Sequence, residues 1–123
     1  KALLLLGNNL ARQRKDIEAE SVMRAYLTIQ EKKQPVAWGT FEAKSVLGVC
    51  LANQQKYAEA EPLLLEGYKG LKERASAIPA RIRMAYLTSA ANRLVQLYQV
   101  WGNQERADQW REELGRLKGA GTN

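Results

Sequence analysis

Leu47-Gly48-Val49-Cys50-Leu51-Ala52-Asn53-Gln54-Gln55-Lys56-Tyr57-Ala58-Glu59-Ala60-Glu61 restates, at nine of fifteen positions, the stretch Leu6-Gly7-Asn8-Asn9-Leu10-Ala11-Arg12-Gln13-Arg14-Lys15-Asp16-Ile17-Glu18-Ala19-Glu20 found 41 residues earlier. A weaker third copy follows 47 residues on, where Leu94, Tyr98, Gly102 and Ala107 take the places of Leu47, Leu51, Gln55 and Ala60. Self-similarity with a period near 40 residues marks a stacked array, because one such unit cannot bury its own apolar face and needs neighbours. An array of this kind is an extended surface, and an extended surface points to binding.

The 123 residues fit one domain, and an apolar fraction of 46% with 26% charged residues is that of an ordinary globular chain. The longest uninterrupted apolar run, Ala2 to Leu6, is far too short to cross a bilayer and lacks the flanks of a secretory signal. A cytoplasmic setting is therefore expected. The opening Lys1, which leads at once into Leu3 to Leu6, is expected to lie inside a longer protein. One cysteine, Cys50, excludes an internal disulfide, and the lack of histidine removes the usual proton shuttle and the commonest metal ligand. No cofactor, metal or catalytic group is expected. The net charge of +6 is uneven: residues 1–35 and 80–123 each carry seven basic and four acidic groups, and 36–79 five of each. Basic ends around a neutral middle suit either a solvated surface or an acidic partner.

Apolar residues recur at spacings of three and four throughout, so an all-α chain of six helices is expected. The first spans 2–13, and the second follows Asp16 as N-cap with Ala19, Val22, Met23, Tyr26 and Leu27 on one stripe, ending before Pro35. The third runs from 36 or 37 to 53. The fourth, 57–74, sets Tyr57, Ala60, Leu64, Tyr68 and Leu71 on one face. A linker at 75–80 accounts for the longer second period. The fifth, 81–101, and sixth, 104–118, repeat the pattern, and Arg106, Gln109, Glu113 and Arg116 give the sixth the polar outer side that a terminal helix needs. Residues 119–123 read as a frayed tail, and the repeats divide at about 1–35, 36–79 and 80–118.

The residues Leu47-Gly48, Leu51, Tyr57, Ala60 and Leu64 resemble the signature of the tetratricopeptide repeat, a helix-turn-helix unit that stacks into a right-handed superhelix. Leu6-Gly7, Leu10, Ala19 and Met23 repeat it, with Asp16 where an aromatic is expected. In the third copy Val95 replaces the small residue and Arg111 the large apolar one, which implies irregular packing. The long period and phrases such as Tyr57-Ala58-Glu59-Ala60-Glu61-Pro62 are similar to the kinesin-light-chain kind of repeat. They look most like the C-terminal repeat regions of bacterial serine/threonine kinases of the planctomycete sort. Nothing here resembles a nucleotide loop or a kinase catalytic motif. The resemblance thus implies a non-catalytic protein-interaction module, a regulatory or scaffolding tail.

By the family's pattern, the first helix of each pair lines a concave groove, at Leu4, Asn8 and Arg12, at Ser45, Val49 and Asn53, and at Asn92, Arg93, Gln96 and Gln99. Asparagine and glutamine can both donate to and accept from an extended peptide backbone, and arginine can fork onto a carboxylate. Asn8, Asn53 and Asn92 are expected to hold the backbone of an acidic peptide, with Arg12 and Arg93 taking its carboxylates. The family's five-residue carboxylate clamp is matched only at Asn8 and Arg93, which disfavours a chaperone-tail ligand. Two rivals remain: self-association through Leu3 to Leu6, or a purely structural role, and RNA binding, which the lack of interleaved arginine and aromatic residues on one face disfavours. Glu59, Glu61 and Glu66 are expected to face solvent, and Cys50 to be a buried, inert thiol.

Overall fold

A computed structural model describes residues 2–121. These form six α-helices, α1 (Ala2–Arg12), α2 (Asp16–Lys33), α3 (Trp38–Asn53), α4 (Tyr57–Glu73), α5 (Ala80–Trp101) and α6 (Gln104–Gly121), with one 3-10 turn, Ala75–Ala77, and no strand among the described residues. The expected helices are all present, within two residues at all but one boundary. The exception is the last helix, which continues through Gly121 where a frayed tail was expected; Thr122 and Asn123 lie outside the described residues.

The sequence repeat is a structural repeat. Arg14, Gln55 and Gly102 adopt positive φ of 60°, 65° and 88° at the same place in three turns. In each, the next two bonds are alike: Arg14, Gln55 and Gly102 N–H donate to Ala11, Ala52 and Gln99 C=O, and Lys15, Lys56 and Asn103 N–H donate to Leu10, Leu51 and Tyr98 C=O, all within 2.8–3.2 Å. This is the Schellman closure of a helix, which satisfies carbonyls left over at its end and turns the chain back on itself within three residues. Only the third copy has the residues this geometry favours, a glycine at the left-handed position and Asn103 beyond it, whose side chain caps α6 by accepting from Arg106 N–H at 3.1 Å.

Each hairpin is held by small residues. At Gly48 a Cβ would stand 2.6 Å from Leu64 Cγ and 3.2 Å from the Ala60 carbonyl; at Gly67 it would stand 2.8–2.9 Å from Ser45 and the Phe41 carbonyl. Positions rise along α3 as their partners fall along α4, so the pair is antiparallel. Gly7 packs on Met23 as Gly48 packs on Leu64, one repeat earlier. Ala19, Ala60 and Ala107 are fully buried. At Gly48 and Gly67, where the contacts include backbone, and at the buried alanines a larger side chain would force the helices apart, whereas at Gly7 it would displace the flexible end of Met23.

Between repeats the order is parallel. Trp38 meets Tyr86 and Ser45 meets Arg93 along α3 and α5, while Glu61 meets Arg106 and Tyr68 meets Glu113 along α4 and α6. First helices therefore line up in one layer and second helices in another, with Leu47, Leu51, Leu64, Leu71, Leu94 and Tyr98 in the core between them.

Three local expectations need correction. Asp16 is the first residue of α2 and not its cap: the N-cap is Lys15, which makes no side-chain cap bond, and the Asp16 carboxylate turns instead to Asn53. The segment 75–80 is no loose linker, because Ile78 is fully buried and its carbonyl accepts from Arg83 Nε and Nη2 at 3.2 and 3.1 Å. Glu61 and Glu113 do not face solvent. Glu61 accepts from Tyr98 Oη at 2.6 Å and Arg106 Nη1 at 2.9 Å. Glu113 accepts from Tyr68, from Lys72 Nζ at 2.8 Å and from Arg116 Nη1 at 3.0 Å. These donors, Lys72 and Tyr68 first, hold the Glu113 carboxyl down at about 2, and burial together with Glu113 pushes the Tyr68 phenol up.

Candidate functional site

The three first helices enclose a groove of about 500 Å³, with α1 and α5 as walls and α3 as floor. Parallel helices at a pitch of one repeat leave this trough because each first helix packs its other sides on its hairpin partner and on the neighbouring repeat. The α1 wall supplies Asn8, Ala11 and Arg12. The α5 wall supplies Ile82, Ala85 and Tyr86 towards its N-terminal end and Ser89, Asn92 and Gln96 further on. Val46 and Val49 form the floor.

Across the floor runs a buried ion pair. Arg93 Nη1 and Nη2 donate to Glu42 Oε1 and Oε2 at 3.1 and 3.2 Å, and Nη1 also donates to Ser45 Oγ at 3.0 Å. Glu42 is 1% exposed and the Arg93 side chain 20%. The fork geometry matches guanidinium to carboxylate at both oxygens and bolts repeat three to repeat two.

Of the eight residues expected in the site, six line this groove: Asn8, Arg12, Val49, Asn92, Arg93 and Gln96. Ser45 is fully buried beneath Arg93 and reaches the groove only through it. Asn53 lies outside: it is exposed and its amide donates to Asp16 Oδ1 at 2.9 Å, joining α3 to the second helix of the preceding repeat. Leu4 belongs to the core, and Gln99 is exposed away from the groove. Arg93, expected to take a ligand carboxylate, holds an internal one with both terminal nitrogens. The side chains of Asn8, Arg12, Asn92 and Gln96 make no hydrogen bond or ion pair among the described residues. Asn8 is the most telling of these, being only 9% exposed and lining the groove.

Sequence reasoning missed Glu42 and the apolar end at Ile82, Ala85 and Tyr86. The latter had a signal: Ile82, Ala85, Ser89, Asn92 and Gln96 recur at three and four along one face of α5. Glu42 had none, since its partner is 51 residues away.

Cys50 is fully buried, and burial first, then the Asp16 and Glu20 carboxylates, pushes its thiol up to about 11, so it is no nucleophile at neutral pH. Among the described residues no group of three or more His, Cys, Asp or Glu side chains could hold a metal, and no helix is long and apolar enough to cross a membrane. Compared with protein families, curated proteins and solved structures, the chain matches none.

Proposed function

We propose that this chain is a peptide-binding repeat module of the tetratricopeptide kind, its first helices forming the concave side of a right-handed superhelix that takes an extended, net acidic segment. The setting proposed for it is the regulatory or scaffolding tail of a bacterial signalling kinase, as the repeat phrases suggest. The observation that carries the binding reading is the facing pair of walls. Asn8 and Arg12 on α1, and Asn92 and Gln96 on α5, present donors and acceptors with no partner among the described residues above an apolar floor of Val46 and Val49. Amides arranged so can hold both edges of a peptide backbone, and Arg12 is the open cation for a carboxylate. Arg93 orders the floor in this reading, because its fork is taken by Glu42.

The test is to select peptides on the wild-type protein and measure their binding to the double variant Asn8→Ala, Gln96→Ala. Two lost hydrogen bonds of about 0.5–1.5 kcal/mol each weaken binding roughly 5- to 150-fold. Unchanged affinity with an intact helical spectrum refutes the groove as the site.

A further inference from the structure

A cleft of about 600 Å³ opens in the layer of second helices, between α4 and α6. Leu65, Tyr68, Lys69, Lys72 and Glu73 come from α4 and Trp110 from α6. Trp110 stands edge-on to Tyr68, with ring centroids 5.0 Å apart and planes at 85°. Where α4 follows α2, the same places hold Arg24, Leu27, Thr28, Glu31, Lys32 and Leu63. With the pair α5 and α6 stacked beyond them, Arg24, Thr28, Glu31 and Lys32 are still exposed and Leu63 is still half-buried. This side of the array is therefore open inside the stack, and the α4–α6 cleft owes its opening to the stacking and not to an end of the chain. Its lining is what sets it apart, because Leu65 and Trp110, in the places of Arg24 and Leu63, give it a broad apolar wall.

The polar groups of the lining are unequal. Lys72 Nζ donates to Glu113 at 2.8 Å, the Tyr68 hydroxyl donates to the same carboxylate, and Glu73 meets Arg74 at 3.5 Å. Lys69 is exposed and makes no hydrogen bond or ion pair among the described residues, and neither does the Trp110 indole N–H. The cleft thus presents aromatic and aliphatic carbon beside one uncompensated ammonium. It offers no amide and no open hydroxyl, and the backbone groups of its helical walls are bonded within the helices. A peptide backbone laid here would lose water at its N–H and C=O groups with little to replace it. A molecule that carries its polar atoms at one end only would not.

We infer that this cleft binds a small aromatic monocarboxylate, its rings against Leu65 and Trp110 and its carboxylate at Lys69. Aromatic walls favour a ring set edge-on or offset against them. From Leu65 to Glu73 the lining runs along two turns of α4, about 12 Å, which suits one or two fused rings with a short acid arm. Charge fixes the number of acids: of the lining cations only Lys69 has no partner among the described residues, and Glu73 repels a second carboxylate. The site shares no residue with the groove and does not depend on the peptide-binding reading.

The test uses the whole protein labelled with fluorotryptophan, in which Trp38, Trp101 and Trp110 give separate fluorine signals, assigned from single Trp→Phe variants. Naphthylacetate is the probe, and its neutral amide the control. Titration with the acid is expected to move the Trp110 signal to saturation while those of Trp38 and Trp101 stay in place. The amide binds at least about threefold more weakly, as the loss of one partly exposed ion pair requires. Lys69→Gln, at an exposed position outside the core, weakens the acid by the same factor and leaves the amide unchanged, so that the variant no longer tells the two apart. The groove variant Asn8→Ala, Gln96→Ala binds the acid as wild type does, which separates this site from the groove. No saturable shift at Trp110, equal binding of acid and amide by the wild type, or full discrimination between them in Lys69→Gln overturns the proposal. A saturable shift at Trp38 instead, beside Tyr86 of the groove, overturns it as well.

Discussion

Removing Arg93 tests how the third repeat is attached. The guanidinium joins α5 to α3 by two bonds to Glu42 and one to Ser45, and Glu42 is almost wholly out of water. Arg93→Met keeps most of the aliphatic volume but leaves a buried carboxylate with no counter-charge, and breaking one side of such a pair costs about 3–5 kcal/mol. For a domain of this size that is a large share of a total near 5–15 kcal/mol. With a urea m-value of about 1–3 kcal/mol/M the unfolding midpoint falls by about 2 M, as followed by far-ultraviolet circular dichroism. The double variant Glu42→Met, Arg93→Met removes both charges, and its cost falls back to within about 1–2 kcal/mol of wild type, because an apolar pair of similar volume carries no desolvation penalty. The coupling between the two sites is therefore large and of opposite sign to the single losses. High salt leaves the wild-type midpoint contribution nearly unchanged, since the pair is shielded from counterions. A shift under about 1 kcal/mol in Arg93→Met refutes the reasoning: the pair would then behave as a surface ion pair and would not be what bolts the repeats together.

Other perturbations probe the turns, the hairpin contacts and a charged tie. Gln55→Gly relieves a left-handed residue and raises stability by about 1 kcal/mol, while Gly102→Ala lowers it by a similar amount, both read from urea midpoints. Ala60→Phe overpacks the fully buried contact beside Gly48 and costs about 1–3 kcal/mol; an unchanged melting temperature contradicts the hairpin packing. Glu113 is held at about 2 in the fold against an ordinary 4.5. Its contribution is therefore complete above pH 4.5 and is lost as the pH falls towards 2; Glu113→Gln flattens the stability profile over that window.

How much was legible in the sequence depended on the range of the interaction. The helices, the three turns and the small residues at Gly7, Gly48, Ala19 and Ala60 were readable, because they follow from local periodicity and from two copies of one phrase. Six of the residues that the family resemblance set along the first helices do line one groove. What failed was every case in which a polar side chain had a partner in another repeat. Asn53 looked like a groove amide and bonds Asp16; Glu61 and Glu113 looked like solvent-facing carboxylates and tie second helices to the next repeat. Arg93 looked open, and its acid lies 51 residues upstream. Periodicity assigns a side chain to a face of its helix, but not to the neighbour that the stacking brings to that face.

The most direct test of the central claim is the side-chain amide spectrum of the protein titrated with a selected acidic peptide. The groove reading predicts that the NH₂ signals of Asn8, Asn92 and Gln96 shift together and saturate at one affinity, while those of Asn53 and Gln54, already bonded to Asp16 and Glu20, stay in place. Shifts confined to Asn53, Gln54 or residues of α2, α4 and α6, with Asn8 and Gln96 unmoved, would contradict it.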